Sequence, residues 1–447
     1  MSAARDVAYR CVMAVTDDDA YANLVMPGLI DQARLDGRDA AFATELAYGA
    51  LRMRGLYDAI IGKASKRDPE SLDPEVRAAL WIGAHQVLAM RVPPHAAVSE
   101  TVDTVRRERG QGAAKFANAI MRRVTEKTAD AWVAVVAPGT SRSSRAVRYS
   151  HPEWVVAELE RSLAADGRAG EIDALLEADN TAARVTLAAR PGLADRDDLA
   201  SETGGEPGLL SPWAVGLPSG RPGDVEAVAD GRAAVQDEGS QVAAGALVAA
   251  RDLAAGERWL DLCAGPGGKA ALLGAIAAEA GSHLDALELH PHRAELVRRS
   301  VRAVPGRAVS VHVGDAREWG EAGAYQRIVL DAPCSGIGAL RRRPESRWRR
   351  SPEDLTELAT LQRELLASAE RLLAPGGVLA YITCSPVLSE TREVVADSAL
   401  RQIDAREAVA SLTGTAVTDW GAGPHVQMWP HAHGTDAMFV ALLERPA

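Results

Sequence analysis

The sequence has few cysteines and no long apolar segment. Only four cysteines occur in 447 residues, Cys11, Cys263, Cys334 and Cys384, and no two of them form a Cys-x-x-Cys motif. This excludes a disulfide scaffold and a cysteine-based zinc site, and it predicts a reducing compartment. No window approaches the roughly 18 uninterrupted apolar residues of a membrane span, and the first residues do not resemble a secretory leader. We therefore expect a cytoplasmic protein with no membrane partner.

Positive charge is also scarce overall. The chain contains 50 Lys and Arg against 61 Asp and Glu, a net charge of −11, which by itself argues against a nucleic-acid partner. The acidic excess is local, because residues 151–250 hold 7 basic and 18 acidic side chains whereas residues 1–150 hold 21 and 18. Phosphate contacts depend on local charge, so basic runs elsewhere in the chain remain available for a polyanion.

The N-terminal region has the apolar periodicity of helices. We predict helices over residues 4–15, 21–36, 38–64, 73–90, 95–109 and 111–128. Residues 1–130 are accordingly assigned to an all-α bundle. Its last part, 106–123, contains six basic residues and one acid, which makes Arg122 and Arg123 candidates for RNA contact. A solvated helix face explains the same charges equally well.

Residues 131–227 are predicted to be a connector. The stretch up to residue 150 contains Pro138, Gly139 and four serines, a composition typical of a linker. Helical stretches over 153–166 and 169–178 then precede a strand-like ARVTLAAR and a loop rich in Gly, Pro and Asp. This pattern indicates a small acidic α+β module, and it assigns no function to it.

From residue 228 onward, short apolar runs alternate with helical stretches. The runs have the length of strands and lie in ERWLDLCA, HLDALEL, AVSVHV, RIVLDA and GVLAYIT. Strands alternating with helices predict a doubly wound, mainly parallel sheet, so residues 228–447 are assigned to an α/β, Rossmann-like domain. The final VQMWP and MFVALLE are expected to form an antiparallel hairpin at the edge of this sheet.

A glycine-rich loop follows the first of these strands. It consists of Cys263, Ala264, Gly265, Pro266, Gly267, Gly268 and Lys269, and its glycines allow a sharp turn and the close approach of a ligand. The spacing differs from the G-x-G-x-x-G of dinucleotide-binding enzymes. Ala270 also stands where a P-loop has Ser or Thr, so neither of these two phosphate-binding motifs is favoured. A tight strand-to-helix connection without a ligand remains an alternative.

Acidic residues follow the next three strands. Glu288 comes twenty residues after Gly268, the interval at which a carboxylate reaches ribose hydroxyls, and Asp315 and Asp331 follow the third and fourth strands. Each acid alone is explained as well by a solvated loop. Together they line one crevice that suits a cofactor with a ribose, an amine and a cationic centre. S-adenosyl-L-methionine has all three.

Cys334 and Cys384 follow the fourth and fifth strands, and each precedes a serine. One such cysteine is usually a small buried hydrophobic residue, but two beside a cofactor site suggest chemistry. Methylation of pyrimidine carbon 5 needs a thiolate, because sulfur addition to carbon 6 makes carbon 5 nucleophilic. A base must then remove the carbon 5 proton, and another group must hydrogen-bond N3. The residues alone do not decide which thiol attacks.

These motifs match a known family. DLCAGPGGK, DAPCSGIG with RRRPESRW, YITCSP and GTDAMF, preceded by VQDEGSQ, resemble the RNA cytosine-5 methyltransferases. FATELAYGALRMR, LDPEVRAALWIGAHQVLAMRVPPHAAVSETV and FANAIMRRV resemble the NusB-type RNA-binding domain that is fused to the bacterial 16S rRNA enzymes of the RsmB (Sun/Fmu) type. The resemblance covers most of the chain, and the acidic connector is its most loosely matched part.

The resemblance implies catalytic roles. Cys384 matches the nucleophile of the RNA enzymes, and Cys334 matches the thiol that acts in proton removal and release of the enzyme. Asp331 and Lys269 match groups near the cofactor amine and the target base.

It also implies a cofactor site. Residues 263–269 match the loop on the methionine side, Glu288 the ribose acid and Asp315 the adenine-side acid. The chain departs from the family pattern where Gly265 replaces a common alanine, Ala270 a common threonine and Glu288 a frequent aspartate.

A second basic run lies at residues 341–350, with six arginines, one glutamate and an interleaved tryptophan. The candidates to grip RNA phosphates and stack on a base are Arg341, Arg342, Arg343, Arg347 and Trp348. A solvated loop is the alternative. His425, His431 and His433 are close in sequence, but no cysteine or acid stands at ligand spacing, so no metal is expected.

The sequence therefore predicts a monomeric enzyme that uses S-adenosyl-L-methionine to methylate carbon 5 of a cytosine in 16S rRNA. Its expected architecture is an all-α NusB-like bundle, a small α+β connector and an α/β Rossmann-like methyltransferase domain. A tRNA substrate is the alternative within the class. A non-catalytic NusB-like RNA-binding factor and a nicotinamide-dependent oxidoreductase are alternatives from other classes.

Overall fold

A computed structural model of the chain describes residues 2–90, 92–218 and 220–447. Two compact units are present. The first contains the chain up to Ala157, Leu176–Thr181 and Leu340–Arg349, and the second contains Glu158–Leu175, Ala182–Ala339 and Arg350–Ala447. Across the described ranges, no helix combines the length and apolarity that crossing a membrane requires.

The first unit is helical. Its helices are α1 (Ala3–Asp17), α2 (Ala22–Ala33), α3 (Gly37–Arg52), α4 (Arg54–Ser65), α5 (Pro74–Leu88), α6 (Pro94–Val124), α7 (Ala129–Val136) and α8 (Arg142–Arg148). Apolar residues on one face of each of α1 to α6 join in a single core. Gly110 interrupts α6 with a φ of +80°, which confirms the predicted boundary between two helices there. The expected single helix over 38–64 is instead divided at Met53.

The predicted linker over 131–150 is not a linker in the structure, because most of it is helical. The Thr128 side chain accepts a hydrogen bond from the backbone N–H of Ala131 and so caps the start of α7. Trp132 is buried in the helical core, and its indole N–H donates to the carbonyl of Val124 at 2.9 Å. The apolar segment AWVAVV favours a buried helix more strongly than the proline and serines that follow it favour a flexible linker. Two further helices, α9 (Glu153–Ala165) and α10 (Ile172–Asp179), confirm the helical pair predicted next.

A small antiparallel sheet comes next in the chain. Its strands are β1 (Thr186–Ala189), β2 (Glu206–Pro207), β3 (Ala214–Gly216) and β4 (Ala233–Val235), in the order β2-β3-β1-β4. The helices α11 (Arg196–Thr203) and α12 (Glu226–Asp230) lie between these strands in sequence. β1 is the strand predicted from ARVTLAAR, and Leu187 and Val215 contribute to the separate core of this sheet.

The large sheet of the second unit is built from the predicted alternation. Its elements are α13 (Glu238–Ala249), β5 (Arg258–Asp261), α14 (Gly268–Glu279), β6 (His283–Glu288), α15 (Pro291–Ser300), β7 (Val309–Val313), β8 (Tyr325–Asp331), α16 (Pro352–Leu372), β9 (Leu373–Thr383), α17 (Arg392–Ala396), β10 (Arg401–Ile403), α18 (Ala405–Thr413), β11 (Val426–Gln427), α19 (Pro430–His433) and β12 (Phe439–Glu444). The strand order is β10-β12-β9-β8-β5-β6-β7. The strands from β5 to β9 pair in parallel, as predicted.

Both faces of this sheet are covered by helices. Trp259 and Leu260 are neighbours on β5 but belong to different cores, one shared with α13, α14 and α18 and the other with α16. The chain runs from β5 to β6 and β7 on one side and returns to β8 and β9 on the other. The carboxyl ends of β5 and β8 therefore form the switch point where open α/β sheets bind ligands.

The C-terminal hairpin differs from its predicted place. β11 and β12 do pair antiparallel, but β12 lies between β9 and β10, so β10 forms the edge of the sheet. The side chains of Phe439, Val440, Ala441, Leu442 and Leu443 are all buried. A strand buried on both faces belongs inside a sheet rather than at its edge.

Candidate active site

The glycine-rich loop is held to the end of β6. The backbone N–H of Gly265 donates to Glu288 Oε2 at 3.1 Å, and Arg293 donates to the Gly265 carbonyl at 2.8 Å. The other carboxylate oxygen of Glu288 accepts from the backbone N–H of His290 at 3.0 Å. Glu288 is only 4% exposed, so the predicted ribose acid is a fixed part of the loop's support.

Gly265 leaves space for the long acid opposite it. A Cβ atom at position 265 would collide with Glu288 Oε2 and with the Arg293 guanidinium. Alanine and aspartate are the common family residues at these two positions, and an aspartate lacks the methylene group that brings the carboxylate this close. We therefore expect the two departures from the pattern that the resemblance implies to compensate each other sterically.

This compensation predicts a non-additive pair of substitutions. Gly265→Ala should lower the free energy of unfolding by about 1–3 kcal/mol, because it forces an extra carbon into a closed contact. Adding Glu288→Asp should recover most of this loss, since neighbouring residues show coupling of about 0.5–3 kcal/mol. Urea unfolding of both single variants and the double variant measures the coupling. Strictly additive losses would show that the two positions are independent.

A buried cation and two acids lie behind the loop. Lys269, 9% exposed, places Nζ 2.8 Å from Asp331 Oδ2. Asp261 is 1% exposed, and its carboxylate has no side-chain hydrogen-bond partner within the described part of the chain, although the backbone N–H of Cys263 lies close enough to lower its pKa. Burial, with repulsion from Asp331, raises the pKa of Asp261 to about 7, although Lys269 opposes this shift. A buried carboxylate at a strand end with no side-chain partner is suited to a cationic or hydrogen-bond-donating ligand.

The two cysteines predicted from the sequence meet here. Cys334, after β8, and Cys384, after β9, place their sulfur atoms 3.4 Å apart, and both are free thiols. Gly338 joins their loops, because its backbone N–H donates to the Cys384 carbonyl at 2.9 Å. A Cβ atom at position 338 would lie 2.7 Å from that carbonyl oxygen, which explains why the DAPCSGIG motif has glycine there.

The environment makes the two thiols unequal. The hydrogen bond from Cys334 lowers the pKa of Cys384, and the Lys269 ammonium lowers it further, against burial and the charge of Asp331. The same hydrogen bond, followed by burial and by the charge of Glu390, raises the pKa of Cys334 well above its usual value. Because the Lys269 ammonium acts on Cys384, we expect Cys384 to be the first of the two to become a thiolate.

Two acids that the sequence did not single out flank this pair. Glu390 is fully buried behind the cysteine loops, in the unremarkable segment SETRE, where nothing in the sequence indicates a site. Asp436 is also fully buried, and its charge raises the pKa of Cys384. It belongs to the GTDAMF motif, so the motif match was the signal that could have found it.

The remaining cofactor-site prediction, Asp315, is held within its own turn. Both carboxylate oxygens accept from the Arg317 guanidinium, the shortest distance being 2.6 Å. These hydrogen bonds lower the pKa of Asp315 to about 2. Contacts thus join Lys269 to Asp331 and Cys334 to Cys384, whereas Asp315 contacts neither pair.

The arginine run at 341–350 differs most from its expected surface role. Residues 340–349 belong to the first unit, whereas Cys334 belongs to the second. Arg347 is fully buried and donates to the Ser150 carbonyl at 3.1 Å and to Asn180 Oδ1 at 2.8 Å. A guanidinium that satisfies buried carbonyl groups cannot also grip a phosphate.

Other members of the run are partly occupied as well. Trp348 packs against the Arg54 guanidinium, 4.8 Å from the ring centre, instead of lying open to a base. Arg341 and Arg342 are half-buried and have interactions of their own, and Arg343 is exposed with its guanidinium 5.6 Å from the centre of the Tyr21 ring. In the other basic segment Arg122 is exposed, and Arg123 donates to the carbonyl of Ala64.

The histidines near the C-terminus are used in packing. His431 is hydrogen-bonded to Glu171 at 2.7 Å, and the ring of His433 stacks on that of Trp420. In the described part of the chain, no group of three His, Cys, Asp or Glu side chains is arranged to hold a metal ion.

Known proteins resemble both parts of the chain. The family model of the 16S rRNA methyltransferase RsmB/F matches residues 248–444, and that of the NusB family matches residues 2–126. Rv1407, an inferred methyltransferase of Mycobacterium tuberculosis, is 45% identical over 99% of this chain and 96% of its own. The ribosomal RNA small subunit methyltransferase B of Pseudomonas putida is 31% identical over 90% of each chain. The crystal structure of PH0851 has the same fold, with a TM-score of 0.79 at 22% identity over 99% of this chain and 98% of that chain.

Proposed function

Because the chain belongs to the 16S rRNA methyltransferase RsmB/F family, we propose that it transfers a methyl group from S-adenosyl-L-methionine to carbon 5 of a cytosine in 16S rRNA. The observation that carries this proposal is the pair of free thiols 3.4 Å apart at the carboxyl ends of β8 and β9. Carbon 5 and carbon 6 of a pyrimidine are bonded neighbours, so two adjacent thiols suit a reaction that needs sulfur chemistry at both atoms.

The residues present fit S-adenosyl-L-methionine, which supplies an electrophilic methyl group when bound. The Asp261 carboxylate, buried and without a side-chain hydrogen-bond partner among the described residues, suits a ligand that donates hydrogen bonds or carries positive charge. Gly265 and Gly267 let Glu288 and Ser300 pack closely against the loop, and Glu288 supports ribose recognition at the end of β6. Asp315 is assigned to the adenine side.

Cys384 is the nucleophile of the proposed reaction. Its lowered pKa favours the thiolate, which adds to carbon 6 of the cytosine and forms a carbon–sulfur bond. The ring electrons move to carbon 5, which becomes the nucleophilic atom of an enamine. N3 receives a proton or a hydrogen bond during this addition, so the ring does not build up negative charge.

Cys334 takes part after the methyl group has been transferred. Once Cys384 is a neutral thioether, the anion that raises the pKa of Cys334 is gone, so the Cys334 thiol can release its own proton to water and then act as the base in its thiolate form. It removes the proton from carbon 5, the carbon 5–carbon 6 double bond re-forms, and Cys384 leaves as a thiolate. Because the charge of one sulfur atom controls the pKa of the other, the two thiols act one after the other.

Asp331 and Lys269 orient the base in this proposal. One carboxylate oxygen of Asp331 is held by Lys269 at 2.8 Å, and the residue is 31% exposed towards solvent. Its other oxygen is assigned to the 4-amino group and the protonated N3 of cytosine, both of which donate hydrogen bonds. Lys269 also keeps a positive charge near the Cys384 thiolate.

We assign RNA phosphate contacts to Arg122 and Arg343, because both side chains are exposed. Arg122 borders a hollow of about 450 Å³ that is also lined by Arg106, His95 and Asn118. These groups match the polar and charged edges of a nucleotide. Arg341 and Arg342 stay secondary candidates.

Methylation of RNA from a strain that lacks this protein tests the proposal. The purified enzyme is incubated with methyl-labelled S-adenosyl-L-methionine and 16S rRNA, free or in small subunits, and with tRNA as a competitor. Label is expected in 16S rRNA, at a cytosine that becomes resistant to bisulfite deamination. Label in tRNA would identify the alternative substrate, and absence of labelling in all these RNAs would contradict the proposed activity.

A further inference from the structure

Each of the two cysteines is followed by a serine, and both serines bind the same buried carboxylate. Ser335 donates to Glu390 through its backbone N–H at 2.6 Å and through its hydroxyl at 2.6 Å. Ser385 donates its hydroxyl to Glu390 Oε2, also at 2.6 Å, and the two hydroxyl oxygens are 3.2 Å apart. Glu390 therefore bridges two loops that leave different strands.

The carboxylate itself is held from several directions. Glu390 is fully buried, and its own carbonyl accepts from the Tyr381 hydroxyl at 2.8 Å. The Gln362 side chain donates to the Pro333 carbonyl at 2.7 Å, directly before Cys334. Burial raises the pKa of Glu390, and the hydrogen bonds from Ser335, Ser385 and Gln362 only partly oppose this. Burying a carboxylate costs free energy of desolvation, and this many hydrogen-bond donors hold the buried group in one position.

We propose that Glu390 is a positioning residue that sets the separation of the Cys334 and Cys384 thiols. The inference rests on the proposed function of these cysteines. Because Ser335 and Ser385 each adjoin a cysteine, a shift of either hydroxyl rotates the neighbouring backbone and moves the thiol. Glu390 has no route to the substrate, since it is fully buried behind the loops, and it acts through the two serines.

The separation matters because both thiols must reach adjacent atoms of one ring. A misplacement of about 1 Å from a residue remote from the chemistry can cost about 10²-fold in rate. Glu390→Ala removes the acceptor shared by both loops and is expected to lower kcat by about this factor, with little change in the KM for S-adenosyl-L-methionine. Glu390→Gln is expected to retain most activity, because its amide can accept from the Ser335 N–H and donate to the hydroxyls.

The distance between the thiols can be measured without RNA by oxidising them. Diamide takes up the electrons and protons that the two thiols lose as a Cys334–Cys384 disulfide forms. Peptide mapping by mass spectrometry after timed quenching gives the rate of this cross-link and separates it from reactions of Cys11 and Cys263. We expect rapid cross-linking in the unaltered protein and about tenfold slower cross-linking in Glu390→Ala, with Glu390→Gln close to the unaltered protein.

Two further variants distinguish a change in the separation of the thiols from a general loss of stability. Ser335→Ala combined with Ser385→Ala removes both hydroxyl donors while keeping Glu390 and its hydrogen bond from the backbone N–H of residue 335, and it should also slow cross-linking. Glu257→Gln weakens another buried carboxylate contact, the 2.8 Å pair with Arg327, and should leave the cross-linking rate unchanged even if stability falls. This carboxylate lies at the opposite, amino-terminal end of β5 and is therefore a matched control.

The outcomes separate this inference from the proposed function. Glu390→Ala and the double serine variant cross-linking at the unaltered rate would overturn the positioning role. Cross-linking could be slow in both variants while the unaltered protein fails to methylate any RNA. This result would support the positioning role of Glu390 and contradict the proposed methyltransferase function. If Glu390→Ala does not fold, the double serine variant and Glu390→Gln decide the question by the same rate.

Discussion

Replacing Cys384 by alanine is expected to abolish methyl transfer, with kcat reduced by about 10⁴-fold or more, as for other catalytic nucleophiles. Without the thiolate, carbon 5 of cytosine is too weak a nucleophile to take a methyl group. The variant should therefore form no covalent complex with RNA. Because Cys384 is a half-buried residue with its sulfur against Cys334, removal of one sulfur atom should leave the fold intact.

Replacing Cys334 by alanine is expected to give the opposite trapping result. Attack by Cys384 and methyl transfer can still occur, but the base that removes the carbon 5 proton is missing, so the adduct accumulates. Denaturing gels with labelled RNA detect this as a slowly migrating protein–RNA complex. The double variant should show none, which controls for attack by Cys263 or Cys11. An adduct in Cys384→Ala and none in Cys334→Ala would reverse the two assignments.

Much of the catalytic unit could be predicted from the sequence because its signals are local. Buried parallel strands appear as continuous apolar runs, and the turns after β5, β8 and β9 bring chemically active residues to one edge of the sheet. The position of β12 could not be obtained in this way. Its pairing with β9 and β10 is a contact between distant segments, and the prediction from the sequence placed MFVALLE at the edge of the sheet.

Burial explains both the site residue that sequence reasoning missed and the arginine to which it assigned the wrong environment. Glu390 and Arg347 look like surface residues, and each is fully buried because partners from distant segments satisfy its charge. For Arg347 these partners are the carbonyl of Ser150 and the side chain of Asn180, neither of which a charge count can reveal. A dense basic run therefore indicated RNA binding where the structure uses part of it to bind the chain's own carbonyl groups.

Replacing Lys269 by methionine is expected to shift the pH dependence of the reaction and to lower kcat/KM by about 10²–10³-fold near neutral pH. Activity requires the Cys384 thiolate, so kcat/KM rises with pH through the pKa of that thiol. Lys269 helps to lower this pKa, after the hydrogen bond from Cys334 and against burial, Asp331 and Asp436. Removal of Lys269 raises the pKa of Cys384, so the rising part of the plot of kcat/KM against pH should move to higher pH.

The loss should consequently be largest at neutral pH and should shrink as the pH is raised. Burial works to lower the pKa of Lys269 itself, but Asp331 at 2.8 Å more than reverses this, so the ammonium stays charged across the measured range. Lys269→Arg keeps the charge and should keep the rising part near its original pH, even if the larger head group lowers kcat. Asp331→Asn removes the partner acid instead and should move the rising part the other way, since Asp331 raises the pKa of Cys384. If the rising part of the pH profile stays at the same pH in Lys269→Met, the Lys269 ammonium does not act on the Cys384 thiol. The function of Lys269 would then be confined to positioning Asp331 against the cytosine ring.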